Sequence, residues 1–304
     1  MSRLYVLGHL TIDDIAYHQV GVSWDQPGGN ALYSAVGAQI WLSEVGVLAR
    51  VGRDYPEEHL ETLRRCGLEL AISRAEAPSI HDWGLYEEGG ARRFVNHLSS
   101  GSHQDMSIRA EEIGDGHRQA QAYHIAPMPT DLQLGLLRAL KKADNLIALD
   151  PHADYIAGYE AQLQAMLRIV DCFLPSRDEA RIAYGADRPE EAARSFAGFG
   201  PRAVAVKLGT EGSLVYERTS GRTIHVPILP VEAQDVTGAG DAYCGGFVAG
   251  MMLTGDPMEA ALYGTVSASY VVESRGVFAV PRPKRQEALR RLNMLRAAVR
   301  SDQD

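Results

Sequence analysis

Cysteine is scarce in this chain of 304 residues: Cys66, Cys172 and Cys244 are three, an odd number, widely spaced. They fit neither a disulfide framework nor a zinc ligand set, so reduced, buried thiols are expected. No apolar run is long enough to cross a bilayer, which removes a membrane partner. The start, Met1 to Gly8, enters a strand-like run with no small-residue cleavage site after it, and a cytoplasmic protein is expected. Positive charge is in deficit, with 30 Lys and Arg against 39 Asp and Glu for a formal net charge of -9. A nucleic-acid partner is therefore not expected, because phosphate contacts draw on clustered cations. The ten histidines show no pair at helical ligand spacing, so no zinc enzyme is read from them. The P-loop pattern Gly-x-x-x-x-Gly-Lys-Ser/Thr is absent, and so is a Gly-x-Ser-x-Gly elbow. After the first apolar run Gly8 is followed by His9 and Leu10, not by the glycines of a dinucleotide fold.

What is present is the composition of an ordinary globular protein, 45% hydrophobic and 23% charged. The length can bury a full core, and a single unit spanning 1–304 is expected. Short apolar runs at Leu4 to Leu7, Val45 to Ala49, Ala122 to Ile125, Leu146 to Leu149, Cys172 to Leu174, Ala203 to Val206 and Ser213 to Tyr216 read as strands. Between them Ala31 to Trp41, Glu57 to Arg65, Asp131 to Lys142, Tyr159 to Val170 and Pro189 to Phe199 carry apolar residues at three- and four-residue spacing, which reads as helix. Strands alternating with helices predict an α/β fold, a mainly parallel sheet covered on both faces.

One region breaks that rhythm. His81 to Tyr86 and Ala91 to Asn96 flank Glu87-Glu88-Gly89-Gly90 and predict a hairpin. With the run Ile15 to Val22 it makes a small sheet, with segments at about 15–24 and 81–98, that would act as a lid. An edge hairpin of the main sheet is the alternative. After about Pro283 the charged tail reads as a terminal helix.

The most informative segment is Asp235-Val236-Thr237-Gly238-Ala239-Gly240-Asp241. Small residues at 238 to 240 permit a tight turn whose N–H groups cradle an anion at a helix start. Asp241 falls in the first helical turn, beside that anion. Phosphoryl transfer gives such a carboxylate a task, because it can take the proton of an attacking hydroxyl while the N–H groups stabilise the transferring phosphoryl. Close packing by the glycines with Asp241 as a helix cap is the plainer alternative.

This run resembles the C-terminal signature of the ribokinase-like, or PfkB, family of carbohydrate and nucleoside kinases, Asp-Thr-Thr-Gly-Ala-Gly-Asp, with Val236 at the second position. The resemblance implies a three-layer ribokinase-like sandwich with a β-sheet lid, and a phosphotransferase using ATP and Mg2+. It makes Asp241 the base, and Gly238, Ala239 and Gly240 the anion hole. Gly8 to Asp13 is similar to the family's first strand and substrate-holding aspartate, which assigns that role to Asp13 with Asp14 as the neighbour one step away. Pro27 to Ser34 resembles the family's Gly-Gly motif, implying acceptor contacts at Gly29 and Asn30, with Tyr33 where the family has Asn. Leu174 to Glu179 is similar to its Asn-x-x-Glu motif, with Ser176 in the Asn place and Glu179 linked to magnesium through water. Lys207, Thr210 and Gly212 fall on the strand and turn that contact the nucleotide. Ser267 to Gly276 corresponds to the region bordering adenine and, in many members, a monovalent cation, so K+ is implied beside Asp235 and Thr237.

The acceptor expected is a small sugar or polyol phosphorylated on a hydroxymethyl or alcohol group. A nucleoside is the alternative, with Trp24, Tyr33 and Trp83 as stacking rings, and Arg92 and Arg93 leave room for a phosphorylated sugar. A non-catalytic sugar or nucleotide sensor is the reading of another class, against which Asp241 and Glu179 argue. Pairing of lids would cover their strand edges, so a homodimer is expected.

Overall fold

A computed structural model describes residues 3–87 and 92–301. Apolar runs buried on both faces give the parallel strands β1 (Leu4–Leu7), β4 (Val45–Val51), β8 (Ala122–Ile125), β9 (Leu146–Leu149), β10 (Cys172–Phe173) and β11 (Ala203–Lys207), and the half-buried β5 (Glu69–Arg74) joins them in parallel at the edge. The antiparallel pair β12 (Ser213–Glu217) and β13 (Thr223–Val226) extends them into a nine-stranded sheet of order β13-β12-β11-β10-β9-β8-β1-β4-β5. The expected strands are all there, and β5 and β13, short and mixed in polarity, are additions. β1 lies between β4 and β8, so the direction in which strands are added reverses beside it. At such a point the strand carboxyl ends leave a crevice for ligands.

Helices cover both faces, as the periodicity predicted. Against one lie α1 (Asn30–Gln39), α2 (Glu57–Arg65), α8 (Ala239–Thr254), α9 (Pro257–Val272) and α10 (Arg285–Ser301). The other carries α4 (Thr130–Leu140), α5 (Glu160–Leu167), α6 (Arg177–Tyr184) and α7 (Pro189–Phe199), while the short α3 (His103–Met106) precedes β8. The terminal helix α10 buries Ala288, Leu292, Leu295 and Val299, a stripe at four- and three-residue steps. Among the described residues no helix is long and apolar enough to cross a membrane.

The lid is a separate four-stranded sheet, ordered β3-β2-β6-β7, of β2 (Thr11–Tyr17), β3 (Gly21–Gly28), β6 (His81–Tyr86) and β7 (Arg92–Asn96). The hairpin therefore does not join the edge of the main sheet. Two boundaries need correction. The lid begins at Thr11 and runs to Gly28, so Asp13 belongs to the lid itself, and the expected single run Ile15 to Val22 folds back at residues 18–20, where Gln19 has φ 57°. That turn has little glycine or proline to announce it. Of the expected hairpin turn, residues 88–90 lie outside the described residues.

Candidate active site

Gly238 caps the start of α8 in the left-handed conformation, φ 72°, and a Cβ there would lie 2.1 Å from the Tyr33 ring. Only glycine suits both demands. The N–H groups of the first helical turn lack intrahelical acceptors, and the helix dipole adds positive potential there. Ala239 uses its N–H in a 3.3 Å turn bond to Val236 O. Asp241 stands in this first turn, as expected. Beside the turn, at the end of β11, Lys207 donates to both Asp150 oxygens at 2.8 and 2.7 Å, and its Nζ would be 3.9 Å from a Cβ at Gly240. Burial opposes the Lys207 charge, but Asp150 above all, with Glu179 adding to it, holds the ammonium well above its ordinary value. Lys207 is thus a cation placed at the anion turn, already neutralised by a buried carboxylate. Close by, burial first and the Lys207 charge second push His124 down to about 3, so it adds no charge.

Glu179 and Ser176 form a capping box at the start of α6: Ser176 N–H donates to Glu179 Oε2 at 2.6 Å, and Glu179 N–H to Ser176 Oγ at 3.3 Å. Ser176 is bound into this cap and bridges to Lys207 along the sheet. The charge of Glu179 is felt at both Lys207 and Asp150, and that of Asp241 at Asp150. Asp150, whose two oxygens Lys207 holds, feels the charges of Glu179 and Asp241, and carboxylate oxygens are the donor type that suits Mg2+. Thr210 is exposed in the turn after β11, and Gly212, φ 90°, closes that turn against Val226 O.

Opposite this floor, Asp13 and Asp82 are paired across β2 and β6 on one face of the lid. The Asp13 carboxylate lies against Gly28, where a Cβ would meet its Oδ2 at 1.9 Å; next to it Gly29, φ 101°, passes so close to His9 O that a Cβ would sit 2.3 Å away. The Gly-Gly turn and Asp13 therefore lie side by side. Burial pushes the Asp13 carboxyl up to about 7; the Thr11 hydroxyl lowers it, and the charges of Asp82 and Asp14 raise it. Burial likewise raises Asp82, with nearby His103 working the other way. Asp82 accepts from Asn96 Nδ2 at 2.6 Å, and His103 Nδ1 meets the Tyr155 hydroxyl at 2.7 Å. A cavity of about 520 Å³ opens along Asn96, His103, Thr130 and Tyr155, and its described lining contains neither Lys nor Arg.

Several expected contacts sit elsewhere. Asn30 uses part of its amide inside the protein, Oδ1 accepting from His9 N–H at 2.8 Å and Nδ2 donating to Pro127 O at 2.7 Å, so it ties two strand ends together. The Tyr33 ring is buried on Gly238, where it shapes the anion turn. Trp83 faces away from Asp13 and Asp82, stacked on His97 with ring centroids 5.0 Å apart, and Trp24 meets its edge on the same outer side, 57% exposed. Also outside, His81 and His97 stack at 3.8 Å with Nε2 atoms 3.2 and 3.3 Å from Asp14 Oδ2. His81 Nε2 is hydrogen-bonded to that oxygen, whereas His97 Nε2 is buried without a hydrogen-bond partner among the described residues. Asp14, the alternative to Asp13, therefore points away from the crevice. Asp235 accepts from Tyr17 Oη at 3.0 Å, Tyr86 Oη at 2.7 Å and Thr237 N–H at 2.8 Å, so three donors within the protein already engage this carboxylate. Ser267 and Ser269 are buried within α9. Asp150, Asp82, His103, Tyr17 and Tyr86 had not been singled out. For Asp150 a signal existed, a polar residue directly after the apolar run Leu146 to Leu149, where parallel strands present ligand-binding groups.

A sequence profile described as pfkB family carbohydrate kinase matches residues 1–285. The chain belongs to the PfkB family. It is similar to the cytidine kinase of Thermococcus kodakarensis, 31% identical over 261 residues that cover 85% of this chain and 91% of that one. The fold is that of ribokinase from Giardia lamblia, with a TM-score of 0.80 at 22% identity, covering 96% of this chain and 99% of that one. A putative ribokinase II from E. coli, in complex with ATP and Mg2+, gives a TM-score of 0.77 at 20% identity over 97% and 100%. This PfkB member is an ATP-dependent kinase that phosphorylates a sugar or nucleoside.

Proposed function

We propose that the acceptor is a neutral, hydroxyl-rich molecule, a nucleoside in first place, phosphorylated on its hydroxymethyl group by Asp241 acting as base. The observation that carries this is the arrangement itself: an anion turn with a carboxylate in its first helical turn, facing a lid strand that bears Asp13. The γ-phosphoryl rests at the Gly238 to Gly240 turn with Lys207 beside it, while Thr210 and Gly212 border the nucleotide. Magnesium, held by Asp150 and, through water, Glu179, supplies neutralisation of the phosphate charge when bound. Asp241 takes the proton of the acceptor hydroxyl as that oxygen bonds to the γ-phosphorus, the bond to the leaving oxygen breaks, and ADP departs. Asp13 and the Gly28–Gly29 backbone hold the other hydroxyls, and the lid keeps out water that would otherwise take the phosphoryl.

Neutrality of the acceptor is supported by the walls. Asp13 and Asp82 share one face of the lid, and the cavity that begins at Asn96, the partner of Asp82, is lined among the described residues without Lys or Arg, so an acidic or phosphorylated sugar would find no dedicated cation there. A nucleoside is favoured over a free sugar by the cytidine kinase relative, by a cavity within the range for such ligands, and by the rings of His103 and Tyr155 in its lining. The outer lid face exposes Val22, Trp24, Leu85 and Val95, an apolar patch suited to a second lid, which supports a homodimer. Three free cysteines and the need for ATP suit the cytoplasm.

The test is ADP release with Mg-ATP across a panel of nucleosides, sugars and sugar acids, run beside Asp241→Asn. Turnover on a nucleoside or neutral sugar, lowered about a hundredfold or more in the variant with ATP affinity kept, is expected. Turnover on sugar acids alone would overturn the neutral acceptor, and near-normal turnover by the variant would overturn the base. ATP binding without turnover on any compound would favour a sensor.

A further inference from the structure

The inner face of the lid ends in two tyrosines. Tyr17 on β2 and Tyr86 on β6 are register partners, with ring centroids 5.1 Å apart. Both hydroxyls donate to one carboxylate across the crevice, Tyr17 to Asp235 Oδ2 at 3.0 Å and Tyr86 to Asp235 Oδ1 at 2.7 Å. Asp235 is 4% exposed and opens the segment that leads through Thr237 into Gly238. Its Oδ1 also accepts the Thr237 N–H at 2.8 Å, and the N–H groups of Gln234 and Asp235 donate to Val272 O at the end of α9 at 2.7 and 3.1 Å. Burial and the Asp235 charge push the Tyr17 hydroxyl up, so it stays a donor, and the Arg275 guanidinium covers its ring at 5.3 Å. Lid and catalytic segment thus meet at a single buried carboxylate, whose own backbone is held to the end of α9. Hydrogen bonds from neutral donors to a buried carboxylate are of the strong kind.

We propose that Tyr17 and Tyr86 are positioning residues that latch the closed lid to Asp235, so that closure over the acceptor and the setting of the Gly238–Gly240 turn are one event, and that this carboxylate accordingly takes no monovalent cation. The latch rests on the kinase reading above. With the lid open, Asp235 keeps only the Thr237 N–H of these three donors, and the segment entering α8 loses two of its anchors. ATP bound without an acceptor then faces a turn that is not fully set, which holds back transfer to water.

Tyr17→Phe with Tyr86→Phe removes the two hydroxyls and keeps both rings, and the single Tyr86→Phe is the milder control. Amide hydrogen exchange without substrates reads the latch directly. Exchange over residues 11–17 and 81–86 should quicken about tenfold or more in the double variant, in line with loss of bonds to a charged group. Unchanged protection overturns the latch whatever the activity. In the ADP-release assay kcat should fall about tenfold with a smaller change in acceptor KM, while ADP release without acceptor rises relative to turnover. Equal kcat and equal uncoupled release would overturn the positioning role. Wild-type rates should match in KCl and in tetramethylammonium chloride, and a manyfold activation by K+ would overturn the claim about the cation. A wild-type protein silent on every acceptor would sink the acceptor reading, and the exchange measurement would still decide the latch.

Discussion

Beneath the anion turn, Lys207 and Asp150 neutralise one another at 2.7 and 2.8 Å, in a place where the side chains are 14% and 3% exposed. Across the crevice, the lid carboxylates Asp13 and Asp82 form no described salt bridge, and their neighbours are hydroxyls, an amide and His103. Burial pushes the carboxyl up on both walls, at Asp150 as at Asp13, so what separates the walls is the partner. The floor answers charge with charge, as a site for a nucleotide's phosphates must, whereas the lid carboxylates have hydroxyl and amide partners, which suits an acceptor that brings hydroxyls and no charge.

Removing the floor's cation should have the largest effect. Lys207→Met leaves Asp150 buried and unpaired, and a loss of about 3 kcal/mol or more is expected, a fall of about 6–10 °C in Tm by thermal unfolding. Lys207→Met with Asp150→Leu should regain much of that stability and none of the turnover. A double variant as unstable as the single would show that the pair is not an isolated charge couple.

The lid is tested by pH. The folded value of Asp13 is about 7 against an ordinary 3.8, so between these values the folded protein binds more protons than the unfolded chain. Stability from this group is therefore present at low pH and lost as pH rises through the window. Asp13→Asn should raise Tm by about 3–6 °C more at pH 8 than at pH 5. Binding of acceptor hydroxyls needs the ionised form, so kcat/KM should climb with pH about a midpoint near 7 in the wild type, and that limb should be missing in Asp13→Asn. A flat wild-type profile would remove the contrast with the floor. The smallest effect on catalysis is expected on the outer lid face. Trp24→Glu should halve the mass measured by sedimentation while changing turnover by less than about threefold, and a wild-type monomer would refute the lid-to-lid dimer.

The floor was the more legible of the two. A glycine-rich turn running into an apolar helix is a local pattern, so Gly238 to Asp241 and the Ser176–Glu179 cap could be placed from neighbours in the chain. The parallel strands were equally plain, because burial on both faces leaves unbroken apolar runs. The lid was less so. Whether a tyrosine on a strand points to solvent or into the crevice depends on register, and here the pairing shifts between Asp13 and Ile15. Trp24, read as a pocket ring, lies in the stretch of β3 where this shift falls, and Trp83, read likewise, is put on the outer side by the unbroken β2–β6 register that turns Asp82 inward. Asn30 and Tyr33 are close in sequence to residues that could meet an acceptor, but packing against His9, Pro127 and Gly238 uses them first.

From sequence alone came the order of strands and helices, the existence of a projecting sheet, and a carboxylate set at a helix start beside an anion turn. Each depends on residues a few positions apart, where spacing translates directly into geometry. Tertiary structure alone decided that Lys207 meets Asp150, that Asp13 faces Asp82, and that Tyr17 and Tyr86 close on Asp235. Those contacts span 57, 69, 218 and 149 positions of chain, and over such distances strand order and register, not spacing, choose the partners.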